Sequence, residues 1–170
     1  MSSPTAAIKK SVADCVILID TREKTPWTFA NHETERVGIK VGDYSIRDAD
    51  GRSWAPGNDN SIMIERKSID DLVGSFTFGR ERFGREWIKV HEMNVERYYL
   101  IVEGDMSDLV NGNYVSKATP SSIIQSIVSW ELVYGYHVWM AGKPQWAARL
   151  AESVLEKHVT GILKREGDDG

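Results

Sequence analysis

The sequence predicts an α/β protein with a central mixed sheet and helices on both faces. Two observations predict it. Short apolar runs that read as buried strands, at 15–19, 61–65 and 98–102, recur along the chain. Helical patterns separate them, at 68–76, 81–93, 119–134 and from Pro144 onward. With 170 residues, 41% hydrophobic and 27% charged, the chain suits one domain with a proper core.

Residues 1–12 read as a Ser/Thr/Ala-rich tail, 13–163 as the domain, and 164–170 as a charged, fraying tail. The first strand, Cys15-Val16-Ile17-Leu18-Ile19, ends at Asp20-Thr21-Arg22-Glu23, and Pro26 then breaks the pattern. Residues 36–41 alternate loosely as a second strand. Gly42-Asp43 is a turn, and Tyr44-Ser45-Ile46 starts a third strand. The stretch 47–60 holds Asp50-Gly51 and Pro56-Gly57 and reads as a loop excursion. The central strand, 61–65, runs into Ser68-Ile69-Asp70-Asp71, a helix start of the capping-box kind.

Gly79 separates that short helix from the longer one. Tyr98-Tyr99-Leu100-Ile101-Val102 is the next strand, and 108–117 reads as irregular. Pro120 opens the next helix from its first turn, Gly135 stops it, and 136–140 is the last strand. The final helix carries an apolar stripe of Trp146, Ala147, Leu150, Ala151, Val154, Leu155 and His158.

No apolar run is long enough to span a membrane, and the first ten residues lack the apolar segment of a signal peptide. The one cysteine, Cys15, sits in a predicted strand and fits a reducing compartment. The expected location is intracellular: cytoplasmic and nucleoid-associated in a prokaryotic or viral setting. A net charge of −4 does not by itself favour a nucleic-acid partner, but Arg80, Arg82 and Arg85 with Lys89 form a basic patch. The bland alternative for that patch is a solvated helix face. Trp27 and Trp54 either stack on bases or trap loops against the core. His32, His91, His137 and His158 lack metal-ligand spacing and read as structural.

The chemistry concentrates at Ile64-Glu65-Arg66-Lys67. Alternate strand residues share a face, so Glu65 and Lys67 point the same way and Arg66 the other. A carboxylate beside an ammonium at the mouth of a buried strand suits a divalent cation held by Glu65, with Lys67 near a reacting phosphate. The second acid should lie upstream. Asp43, after Gly42, is the first choice, and Asp20, at the end of a buried strand, is the second. Taken singly, Gly42-Asp43 is also an ordinary turn, Asp71 an ordinary helix cap, and Arg22-Glu23-Lys24 an ordinary solvated run.

Taken together, Asp20-Thr21-Arg22-Glu23, Val41-Gly42-Asp43-Tyr44 and Ile64-Glu65-Arg66-Lys67-Ser68-Ile69-Asp70-Asp71 resemble the XPF-type structure-specific endonuclease domain. That family's pattern is GD, a variable gap, then ERKxxxD. The pair Gly79-Arg80 and the run Leu100-Ile101-Val102-Glu103-Gly104 are similar as well, in the same order. The resemblance implies a restriction-endonuclease-like core and Mg²⁺- or Mn²⁺-dependent cutting of DNA at branch, flap or fork structures. It also implies roles for residues. Asp43, Glu65 and Asp20 hold metal, Lys67 assists the water or the transition state, and Glu23 and Arg66 complete the catalytic cluster. Arg22, Arg80, Arg82 and Arg85 meet DNA, and Asp71 supports from behind.

The chain departs from the pattern where a glutamine often follows Gly-Arg, and residues 162–170 leave no room for a tandem helix-hairpin-helix module. Relatives pair through a late helix, so a homodimer through Ile123, Ile124, Ile127, Val128 and Trp130 is expected; the alternative is that this helix covers the chain's own sheet. Two other functions compete: a non-catalytic DNA-binding scaffold, and a sequence-reading restriction-type nuclease that uses the 47–60 loop.

Overall fold

A computed structural model describes residues 12–168. Its centre is a six-stranded mixed sheet in the order β2-β1-β3-β4-β5-β6. The strands are β1 (Val16–Asp20), β2 (Glu33–Val37), β3 (Tyr44–Arg47), β4 (Ile62–Ser68), β5 (Arg97–Glu103) and β6 (His137–Met140). β1 pairs parallel with β2 and antiparallel with β3. β3 is antiparallel to β4, and β4, β5 and β6 run parallel. The helices are α1 (Ile69–Phe76), α2 (Arg80–Glu92), α3 (Met106–Asn111), α4 (Pro120–Tyr134) and α5 (Pro144–Asp168).

The pleat of β4 divides the core. Ile62 and Ile64 face α5, where Ala147, Ala151, Leu155, Val159 and Ile162 close one layer. Met63 faces the other way, into a layer with Leu72 and Val73 of α1, Phe83 and Val90 of α2, and Ile123 and Trp130 of α4. Helices therefore cover both faces, as the sequence predicts.

Several elements differ from expectation. The second strand lies at Glu33–Val37, ahead of the predicted 36–41. Ile39 is drawn out of the ladder because its N–H donates to the Asp20 carboxylate at 2.7 Å. β4 continues past Glu65 to Ser68, paired with β5 along its whole length. Within the supposedly irregular 108–117 stretch, α3 ends at Asn111. It starts from a reciprocal capping box between Asp105 and Asp108. α5 continues to Asp168, into the stretch predicted to fray, and residues 169–170 lie outside the described residues. The apolar stripe of α5 runs on through the buried Ile162, and Arg52 holds Glu166 at 2.8 Å. The expected N-terminal tail, apart from Val12, lies outside the described residues.

The tryptophans in loops are core residues. Trp27 stacks on Tyr44 with ring centroids 4.7 Å apart, and Trp54 is fully buried beneath Arg52. On α4, Ile123 and Trp130 are buried in the chain's own core and present no outer face. The exposed apolar side chains there are Val128, Leu132 and Val133.

Candidate active site

Asp43 is placed by backbone bonds to two neighbouring segments. Its N–H donates to the Ile64 carbonyl at 2.9 Å, and its own carbonyl accepts from the Asp20 N–H at 2.8 Å. Gly42 makes the approach feasible. Its φ is +82°, and a Cβ there would lie 2.3 Å from Cε of Met63. The turn aims the Asp43 carboxylate at the end of β4, where Oδ2 accepts from the Arg66 N–H at 2.8 Å.

Glu65 and Lys67 share the α2 side of β4. Lys67 Nζ donates to Glu65 Oε1 at 3.2 Å and stands 5.5 Å over the Phe83 ring. Asp43 and Glu65 open onto a cavity of about 500 Å³ between the sheet and α2. Burial, then the neighbouring Glu65 charge, pushes the Asp43 pKa up to about 7. Burial also raises that of Glu65, against the pull of Lys67. A cation bound between these two carboxylates would favour their ionised forms and displace any proton they hold into solvent.

The donor set fits a hard divalent ion. It offers carboxylate oxygens only, and among the described residues nothing donates a hydrogen bond to Oδ1 of Asp43 or Oε2 of Glu65. Among the described residues no three His, Cys, Asp or Glu side chains converge into a ready metal cage.

The other residues separate by role. Asp20 is buried, and its carboxylate accepts from the Arg22 N–H at 2.8 Å, from Arg22 Nε at 2.6 Å and from the Ile39 N–H at 2.7 Å. Burial alone would raise its pKa, but these bonds outweigh it and hold the carboxyl below the usual range. It is not among the residues lining the cavity; it fixes Arg22, which is. Glu23 also lines the cavity. Its Oε1 accepts from the Thr25 N–H at 2.9 Å and stands 3.5 Å from Arg66 Nη1.

Arg66 lies on the reverse face, where its Nε donates to Glu103 Oε1 at 2.8 Å. Arg80 reaches Ser126 on α4 at 3.3 Å and Arg82 pairs with Glu86 at 3.9 Å; neither these nor Arg85 lines the cavity. Asp71 lies in the first turn of α1, which Ser68 caps: the Asp71 N–H donates to Ser68 Oγ at 3.1 Å, and Ser68 Oγ donates to Asp71 Oδ2 at 2.8 Å. Lys24, Lys40, Glu86 and Tyr98 line the cavity as well, and the sequence pattern singled out none of them as site residues. Lys40 and Lys24 are flagged only by nearness to Gly42-Asp43 and Arg22-Glu23.

Curated proteins give no match. Among solved structures the chain resembles XPF from Aeropyrum pernix, with 20% identity and a TM-score of 0.61 over 82% of this chain and 59% of that one. XPF from Aeropyrum pernix in complex with DNA gives 21% identity and a TM-score of 0.63 over 86% and 66%. The chain spans less than two thirds of either, and the likeness is one of fold. The model of the ERCC4 domain matches residues 19–154, a span that holds Asp20, Glu23, Asp43, Glu65 and Lys67. The chain therefore belongs to the ERCC4 domain family.

Proposed function

We propose that the protein is a DNA endonuclease that uses Mg²⁺ or Mn²⁺ to hydrolyse phosphodiester bonds at branched, flap or fork DNA. One observation carries the reading. Glu65, paired with Lys67, and Asp43, each with an oxygen to which no described residue donates, open onto one cavity in a fold of this family. A bound divalent cation supplies Lewis-acid activation of the phosphodiester and of a water. Asp43 and Glu65 would hold that ion. Lys67, fixed by Glu65 and the Phe83 ring, offers a positive charge for the developing negative charge on the phosphate. The Arg66 N–H keeps the Asp43 carboxylate turned toward the site.

The test is cleavage of labelled single strand, duplex, 5′ flap, 3′ flap, fork and four-way junction, each with Mg²⁺, Mn²⁺ or EDTA. Glu65→Ala is run alongside. Metal-dependent cutting that the variant loses supports the proposal, and the substrate ranking tests the preference for branches. No cutting with any metal favours the scaffold alternative. The sequence-reading alternative relied on the 47–60 loop. That loop folds back on itself around Asp48, buries Trp54 against His158 and ties Arg52 to Glu166 of α5.

The proposal includes a homodimer that keeps Val128 of the expected face and replaces the buried Ile123 and Trp130 with the outward Leu132 and Val133. Val128, Leu132 and Val133 are 45%, 81% and 66% exposed. The helix that carries them packs beside the edge strand β6. A solution mass of two chains that Leu132→Glu reduces to one supports it; a wild-type mass of one chain at micromolar concentration removes it.

A further inference from the structure

An acidic chain proposed to grip a polyanion raises the question of which cations do the gripping. Many are already neutralised. Arg22 is held by Asp20 at 2.6 Å, Arg52 by Glu166 at 2.8 Å, Arg66 by Glu103 at 2.8 Å and Lys67 by Glu65 at 3.2 Å. Three cavity-lining lysines differ. The ammonium groups of Lys24, Lys40 and Lys89 make no hydrogen bond or ion pair with any described residue. They come from three separate segments: the loop after β1, the loop before β3, and α2. All three nevertheless meet at the one cavity that holds Asp43 and Glu65.

We infer that Lys24, Lys40 and Lys89 are the phosphate contacts of a nucleic-acid strand lying across the Asp43–Glu65 carboxylates. The inference deepens the nuclease reading and rests on it for the placement of the strand. An unpaired ammonium releases its own and the phosphate's counterions on binding, whereas a cation already paired with a carboxylate must first break that pair. Carboxylates on the cavity walls repel a phosphate backbone, so attraction has to come from around them. Lys24 and Lys40 supply it from the β1–β3 side and Lys89 from the α2 side, which leaves the scissile phosphate over the acids.

The groove on the α5 side is an internal control. It is lined by Arg97, Lys157 and Arg165 beside Trp139, but Arg97 leans on Glu96 at 3.8 Å and no pair of carboxylates lies there.

The experiment is fluorescence anisotropy of labelled duplex and single-stranded DNA in EDTA, across a salt series. It uses the wild type, each single Lys→Ala variant, the K24A/K40A/K89A triple variant, and K157A/R165A. On duplex, each cavity lysine should lower the slope of log affinity against log salt by about 0.9; on single strand the step is about 0.7. The triple variant should lose two units or more, with an unchanged melting temperature, while K157A/R165A keeps the wild-type slope. A triple variant that keeps the wild-type slope overturns the inference, and so does an equal loss in K157A/R165A. The nuclease reading fails separately. A wild type that binds with the expected slopes yet cuts nothing with any metal removes the activity and leaves the lysines as the binding surface.

Discussion

Arg66 and Glu103 form a two-point pair across the ends of β4 and β5, with Nε to Oε1 at 2.8 Å and Nη2 to Oε2 at 3.2 Å. Glu103 Oε1 also accepts from Trp27 Nε1 at 2.7 Å. The remaining Arg66 nitrogen reaches Thr25 Oγ1 at 2.9 Å and the Thr25 carbonyl. The loop that carries Glu23 and Lys24 to the cavity is therefore latched from the back of the sheet. Glu103→Ala leaves a mostly buried guanidinium without its carboxylate. The expected cost is about 1–3 kcal/mol by urea denaturation. Because the effect on cutting passes through the loop, Glu103→Ala and Glu23→Ala should be non-additive in a double-mutant cycle on cleavage rate. Strict additivity would mean that the latch stabilises the fold without positioning Glu23.

Gly42→Ala tests how Asp43 is aimed. The left-handed φ of +82° costs a non-glycine residue about 1–2 kcal/mol, and the new Cβ collides with the Met63 side chain. Met63 lines the cavity and can swing its terminal methyl aside, but its Cβ, 3.2 Å from the new Cβ, and the backbone cost remain. The variant should be destabilised by at least that amount and should lose metal-dependent cutting. A variant with wild-type stability would show that the turn relaxes freely.

Without metal, the acid pair should make stability depend on pH in an unusual direction. Asp43 has its pKa raised from 3.8 to about 7 by burial and then by Glu65. Between those two values the folded chain binds more protons than the unfolded chain, so stability is greatest below the unfolded value and falls as pH rises through the folded one. In EDTA the melting temperature should therefore decline between about pH 4 and pH 7. Asp43→Asn should flatten that decline, and Mg²⁺ should restore stability at the upper end. An Asp43→Asn curve parallel to the wild type would assign the decline to other groups.

What the sequence made legible is what local spacing determines. Glu65 and Lys67 are two residues apart on a strand, so their shared face needs no knowledge of the rest of the fold. Gly42-Asp43 is legible because a positive φ nearly requires glycine. What stayed hidden depends on tertiary partners. The place of β2 follows from Asp20 pulling Ile39 out of the ladder, a bond between residues nineteen apart. Lys24 and Lys40 meet Lys89 only once the sheet order sets β1 beside β3 and α2 above β4. Ile123 and Trp130 looked like an outer face because an apolar helix stripe does not say which side faces the core. The capping box of α3, by contrast, was present in Asp105-Met106-Ser107-Asp108 and was obscured by the polar residues that follow.

Lys67 has a double task, and removing it should show both. Its charge opposes the burial that raises the Glu65 pKa, so Lys67→Met leaves Glu65 harder to ionise. The variant should lose about 10²–10³-fold in cleavage rate for the missing transition-state charge. It should also need more Mg²⁺ for half-maximal rate, a need that eases as pH rises. A lower rate with an unchanged metal requirement would confine Lys67 to the phosphate.

Asp71 and Ser68 provide the contrast. Asp71 matched the nuclease pattern, yet the hydroxyl of Ser68 and the N–H and carboxylate of Asp71 bond to one another at the start of α1. That geometry satisfies an otherwise free helix N–H and places a negative charge at the positive end of the helix. Neither residue lines the cavity. Ser68→Ala and Asp71→Ala should each cost about 0.5–2 kcal/mol in denaturation and leave the metal requirement for cutting unchanged. If Asp71→Ala instead shifts the metal requirement while Ser68→Ala does not, Asp71 acts on the metal-binding acids through space and the helix cap is not its main role.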